Sequence, residues 1–353
     1  MTIFGPVPSS FKRDIYDSTK FNKKIGRAKK LLIFCFQVLY YYWGEAKMRK
    51  DNDDKQNKTQ NQSIYLASQL RGEIPQITGL KTGVEGLDNL FFVTYLDKKG
   101  KPQIKPIGGF PSFGIINITG IPDTGKSLMA EQFALTQASL GHPVCFVTVE
   151  QPAVFAVAGL RNRAASMGLD FEAIEERLVI IDASTNPVLR EDLSSLLDTL
   201  AYAIKSYKTR VTIIDSITGL YEAREMMARM IVRALFTFLK KWRQTALFIS
   251  QKRSGHEELT AEAAGGYAVG HILDGTIVLF KKEIMSRYDQ SLYGKEIGDL
   301  IRLLRIDGCR LCGHDPRVYV VEILENGIIK IKEPLETYLR KLKKEGKGGQ
   351  NIE

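Results

Sequence analysis

Residues 120–127 read Gly-Ile-Pro-Asp-Thr-Gly-Lys-Ser, which places two glycines, a lysine and a hydroxyl at the spacing G-x-x-x-x-G-K-[ST]. The chemistry that needs this spacing is the holding of a phosphate chain. Gly120 and Gly125 let the backbone turn sharply and approach an anion closely, while Ile121, Pro122, Asp123 and Thr124 form the body of the loop. A helix expected from about Lys126 aims its positive end at the same point. Lys126 is then the group for the β- and γ-phosphates, and the Ser127 hydroxyl is a ligand for Mg²⁺. ATP with Mg²⁺ is the ligand that this loop predicts.

Three further polar residues end apolar runs. Val211-Thr-Ile-Ile-Asp215 closes with a carboxylate suited to the metal's water shell, reached from the neighbouring strand; the same residue could instead cap the following helix. Val147-Thr-Val-Glu150 supplies a general base to position and deprotonate water. Phe248-Ile-Ser-Gln251 offers an amide that could sense the γ-phosphate and pass its presence to the next loop. Ligands of open α/β sheets bind along the carboxyl ends of the strands, where all three lie.

These residues must be held by alternating elements. Apolar runs of strand length fall at 115–119, 144–149, 178–181, 211–214, 246–249 and 276–280, and helical periodicity falls at 127–140, 155–167, 189–207 and 220–242. Alternation of this kind predicts an α/β fold, a mostly parallel central sheet flanked by helices. Residues 300–331 are strand-like with little helix and are expected to add antiparallel strands. The predicted organisation is a basic and apolar segment 1–47, a disordered linker 48–77, one ATPase domain 78–331 and a basic flexible tail 332–353.

The net charge of +10 is concentrated at the ends. Residues 1–50 hold 11 Lys/Arg against 3 Asp/Glu, and residues 332–353 hold 6 against 4, which leaves 51–331 neutral. The body therefore lacks the basic excess of a dedicated DNA-binding domain. Four cysteines, Cys35, Cys145, Cys309 and Cys312, are too few for a disulfide scaffold, which predicts a reducing compartment, the cytoplasm or an organelle matrix. The basic stretch from Lys23 to Lys30 precedes an apolar run that ends at Trp43. At that length it falls short of the ~20 residues that span a bilayer. Three readings stand: membrane contact by residues 23–43 as an interfacial anchor, a targeting segment, or upstream sequence ahead of a start at Met48.

With its functional strand ends in this order the chain resembles the RecA superfamily of P-loop ATPases, and within it the KaiC family. Thr82-Gly-Val-Glu-Gly-Leu-Asp88 is similar to that family's approach segment, and Gly108-Gly-Phe-Pro111 to its turn before the first strand. The resemblance covers 82–331. It implies a RecA-like fold, slow ATP hydrolysis, and a homo-oligomeric, commonly hexameric ring with ATP at subunit interfaces, acting as a nucleotide-driven switch. It also implies that Arg305, in Arg305-Ile-Asp-Gly308, reaches a neighbour's γ-phosphate. The chain departs from the family between Asp88 and Gly108, where a hairpin insert is expected. It departs again at Glu150-Gln151, where clock members carry two glutamates, and this speaks against autokinase chemistry.

Two rivals remain: a RecA/RadA-like DNA-dependent ATPase of recombination or repair, and an ATP-gated scaffold whose turnover is incidental. The segment 252–266, with Lys252 and Arg253 against Glu257, Glu258 and Glu262, reads better as a switch or subunit-contact loop than as a contact to nucleic acid. Cys309-Arg-Leu-Cys312-Gly-His314 fits a plain turn, a metal site or a redox pair.

Overall fold

The structure, a computed structural model, describes residues 63–252 and 268–348. The chain divides into two units at Ile74/Pro75. The described part of the first contains one turn of 3₁₀ helix, Ala67–Leu70, within the stretch expected to be a linker.

The described residues of the second unit contain fourteen strands. Two short ones, β1 (Gly79–Leu80) and β4 (Phe110–Pro111), pair with each other. The hairpin expected between Asp88 and Gly108 forms as β2 (Phe91–Leu96) and β3 (Pro102–Pro106), which run antiparallel. The large sheet contains β5 (Ile115–Gly120), β6 (Val144–Thr148), β7 (Leu178–Asp182), β8 (Val211–Asp215), β9 (Thr245–Gln251), β10 (Gly275–Glu283), β11 (Leu300–Cys309), β13 (Tyr319–Ile323) and β14 (Ile329–Pro334). Their spatial order is β14-β13-β11-β10-β5-β9-β8-β6-β7. β12 (Gly313–His314) joins β2 and β3 in a separate sheet.

The strands from β10 across to β7 are parallel, and β11, β13 and β14 continue the sheet antiparallel. Burial explains the composition of the parallel part. Every residue of β5 and β6 is buried, so both read as continuous apolar runs rather than alternating ones.

The helices are α1 (Lys126–Ser139), α2 (Ala153–Ser166), α3 (Pro187–Glu191), α4 (Leu193–Tyr207), α5 (Ala228–Lys241), α6 (Ala268–Ile272), α7 (Arg287–Tyr293) and α8 (Leu335–Gly348). The chain passes from β5 through α1 to β6 and through α2 to β7, then returns through α4 to β8 and through α5 to β9. Right-handed crossovers in opposite directions put their helices on opposite faces. The core divides accordingly. Met129, Phe133 and Ala134 of α1 pack with Ile116, Phe146 and Ile213 on one side, and Leu196 and Leu200 of α4 join Ile231, Val232 and Leu235 of α5 on the other.

Three expectations change. The helix expected over 189–207 divides at Asp192, whose carboxylate accepts the Ser194 and Ser195 N–H groups at 3.2 Å and so starts a new helix. The helix expected over 220–242 begins only at Ala228. Ahead of it Arg224 has φ −147° and sends its guanidinium to the carbonyls of Arg190 and Glu191 at 2.9 and 2.8 Å. The tail expected to fray carries α8, where Leu335 and Tyr338 pack against Phe280, Ile301 and Leu303 and the Tyr338 hydroxyl donates to the Tyr293 carbonyl at 2.8 Å.

Candidate nucleotide site

The loop 120–127 follows the buried strand β5 and runs directly into α1. A Cβ at Gly120 would lie 2.2 Å from the Leu279 carbonyl oxygen on β10, so only glycine fits beside that strand. Gly125 has φ +94° and precedes the first helical residue, and no side chain caps the N–H groups of the first turn. Those donors and the helix dipole converge at the loop. Lys126 is buried, and its Nζ donates to the Ile121 carbonyl across the loop at 2.8 Å. Burial lowers its pKa, while Asp215 and Glu150 oppose that shift. A buried cation, two obligatory glycines and an uncapped helix start form a donor set that fits polyphosphate.

Asp215 reaches this loop by a different route from the one expected. Its strand β8 is not the neighbour of β5, because β9 lies between them. Helix α1 bridges the gap, since it packs across β5, β9, β8 and β6. Ser127 on its first turn hydrogen-bonds the Asp215 carboxylate. Burial pushes that carboxyl up to about 6; the bond from Ser127 opposes the shift, and the negative charges of Glu150 and Glu131 add to it. The negative charges of Glu150 and Glu131 beside the buried Asp215 carboxylate make a divalent cation favourable there. Among the described residues there is no cage of three or more metal-ligating side chains. The Asp215 carboxylate and the Ser127 hydroxyl suit Mg²⁺, which takes one or two protein ligands, phosphate oxygens and water.

Glu150 follows β6, next to β8. Its Oε1 accepts the Ser216 hydroxyl at 2.5 Å and the Gln251 side-chain amide at 2.7 Å. Gln251 is itself held, since its backbone N–H donates to Thr218 Oγ1 at 2.9 Å. The next residue, Lys252, donates its backbone N–H to the Gly120 carbonyl at 3.2 Å, which ties the exit of β9 to the start of the phosphate loop. From residue 253 the candidate switch loop lies outside the described residues, as does the 23–43 segment. No helix among the described residues is long and apolar enough to cross a membrane.

Two cations that sequence reasoning missed touch the loop. Asp123, at φ 61°, accepts from Lys281 at 3.1 Å and from the Arg302 guanidinium at 3.0 Å, and Arg302 Nε also reaches the Asp123 carbonyl at 3.2 Å. Burial pushes the Asp123 carboxyl up, but Lys281 and Arg302 outweigh it and hold it below the usual range. Lys281 and Arg302 are register partners on β10 and β11. The only signal in the sequence was a lysine pair at the end of an apolar run. Arg305, on the same strand as Arg302, bonds Asp307 at 2.5 Å.

The bend after β11, at 309–312, holds two thiols, while His314 lies in β12 opposite Phe91. A cavity of about 730 Å³ opens at the other end of the parallel strands, with Lys81, Lys208, Arg210, Arg243 and Trp242 in its wall. It contains none of the phosphate-loop residues.

Comparison with known proteins agrees with this geometry. The family profile described as "ATPase: KaiC" matches residues 80–336. A UPF0273 protein of Thermotoga maritima is 28% identical over 267 residues, covering 72% of this chain and 96% of its own length. The circadian clock oscillator protein KaiC of a Picosynechococcus strain is 30% identical over 196 residues, 52% of this chain and 34% of its own length. The crystal structure of a KaiC-like protein from Pyrococcus horikoshii superposes with a TM-score of 0.54 at 26% identity, covering 73% of this chain and all of that one.

Proposed function

Because the chain belongs to the KaiC ATPase family, we propose that it binds ATP with Mg²⁺ at residues 120–127 and hydrolyses it slowly, with Glu150 as the general base. The observation that carries this reading is the paired restraint on Glu150. Ser216 and Gln251 both grip Oε1 and orient the carboxylate beside Lys126 and Asp215. The second carboxylate oxygen then accepts a proton from water as the water oxygen attacks the γ-phosphorus. The bond from that phosphorus to the bridging oxygen breaks, giving ADP and phosphate.

Lys126 and the amides of the first helical turn stabilise charge on the phosphate oxygens. Asp215 and the Ser127 hydroxyl would hold Mg²⁺, which neutralises β- and γ-phosphate charge when bound. Gln251 reports the outcome: when Glu150 changes partner its amide is released, and Lys252 relays the change to the loop that follows. We place this switch in a homo-oligomeric ring with ATP between subunits, where Arg305 completes a neighbour's site.

The test is an ATPase assay, with and without single-stranded DNA, beside ATP-binding measurements. Glu150→Gln should bind ATP and lose turnover by 10²-fold or more, roughly the contribution of general-base catalysis. Lys126→Ala should lose binding itself. Turnover that survives in Glu150→Gln would remove the proposed base, and stimulation by DNA would favour a recombinase.

A further inference from the structure

Two sulfurs meet where the chain leaves the large sheet. Cys309 ends β11 and Cys312 immediately precedes β12, with Arg310 and Leu311 alone between them. The turn brings the two Sγ atoms to 3.5 Å, and both residues are half-buried. Cys145 is the contrast: it is sealed inside β6, and burial pushes its thiol up to about 12. We propose that Cys309 and Cys312 form a reversible dithiol–disulfide site whose reaction partner is a small-molecule disulfide of the glutathione type.

The turn distinguishes the two thiols. Cys312 hydrogen-bonds the Cys309 sulfur, and the backbone N–H groups of Leu311 and Cys312 also point at it, so Cys309 is held down at about 7. The same bond, and then burial, push Cys312 up. About half of the Cys309 thiol is therefore thiolate near neutral pH while Cys312 keeps its proton, which is the division of labour that exchange requires. The Cys309 thiolate attacks one sulfur of the incoming disulfide, forms a mixed disulfide and expels one thiolate. Cys312 then loses its proton and attacks the Cys309 sulfur. The mixed disulfide breaks, a second thiolate leaves, and the protein gains one internal S–S bond while the small disulfide is reduced to two thiols.

The site is connected to α6 and to the start of β10. Arg310 sends its backbone N–H to the Asp274 carbonyl at 2.7 Å and its guanidinium to the His271 carbonyl. The Asp274 carboxylate in turn accepts the Ile115 N–H at 2.8 Å and pairs with Lys240 at 2.6 Å. The turn therefore grips the end of α6 and the residue that leads into β10.

The test uses the full-length chain equilibrated with oxidised glutathione, acid-quenched, blocked with N-ethylmaleimide and digested with trypsin. Trypsin cuts after Arg310, so an internal disulfide leaves peptides 306–310 and 311–317 joined, and dithiothreitol separates them. The joined pair is the expected result. Cys312→Ser should trap glutathione on Cys309, and Cys309→Ser should trap several-fold less. Absence of the joined pair from the wild-type chain overturns the proposal, and so does equal glutathione capture by the two variants. The wild-type digest needs no variant to fold.

Discussion

Burial holds the Asp215 carboxyl at about 6, so at pH 5 most molecules carry it protonated and at pH 7 most carry it ionised. A raised carboxyl pKa means that the folded state binds this proton more tightly than the unfolded chain does. The associated stability is fully present below the ordinary value of 3.8 and is lost as pH rises through about 6. Asp215→Asn removes the group that ionises. In metal-free buffer at pH 7 the variant is expected to melt several degrees above the wild type, with a ceiling of about 3 kcal/mol from the size of the shift. The gap should close by pH 4, and the same variant should lose Mg²⁺-dependent ATP binding. Melting curves at both pH values check the first part, and a gap that stays constant with pH would exclude burial as its cause. Asp215, Glu150 and the 120–127 loop were legible in the sequence because each follows an apolar run of strand length, at the end where an α/β sheet binds its ligands. The partnership of Ser216 with Glu150 was not, since a hydroxyl beside an aspartate can point in several directions until the two strand ends are placed.

The clamp on Asp123 exists only because β10 and β11 pair in the register that sets Lys281 beside Arg302. No local pattern encodes that register, which is why neither cation stood out as a loop contact. Both pairs involve an exposed carboxylate, 61% accessible, so their effect on global stability is small, within about 1 kcal/mol. Their effect belongs to the loop. Removing both with Lys281→Ala and Arg302→Ala should leave the melting temperature nearly unchanged while amide hydrogens at 123–125 exchange several-fold faster and ATP affinity falls several-fold. Unaltered exchange in that segment would show that the loop keeps its shape without the clamp. Elements followed the same logic. The buried parallel strands were legible from their apolar runs, and the residues expected to close the sheet antiparallel do so. The helix breaks were not: Asp192 acts as a cap only once its carboxylate turns onto Ser194 and Ser195, and Arg224 leaves helical geometry to reach two carbonyls at the end of α3. The helix α8 was obscured by its charge, because its few apolar side chains find partners only on the antiparallel strands.

At the scale of the whole molecule, the α/β architecture and the family were legible because the sheet's polar strand ends occur in one order along the chain. Assembly was not, since contacts between copies leave no periodic signal in a single sequence. A ring with shared sites nevertheless makes a quantitative demand. In the proposed arrangement Glu150 serves the ATP bound by its own subunit, while Arg305 serves the ATP of a neighbour. Glu150→Gln and Arg305→Ala should therefore each be inactive as pure proteins while still binding ATP. Mixed at equal concentrations and allowed to exchange subunits, they regenerate an intact site wherever an Arg305→Ala subunit supplies Glu150 and the adjacent Glu150→Gln subunit supplies Arg305. Random mixing in a closed, head-to-tail ring places about a quarter of all sites in that state. Recovered turnover near a quarter of the wild-type rate, dependent on prior subunit exchange, is the expected outcome. Size-exclusion chromatography with and without ATP shows whether the ring is present to exchange. If the ring forms and the mixture stays inactive, Arg305 acts on its own strand with Asp307 and the trans-acting cation lies elsewhere.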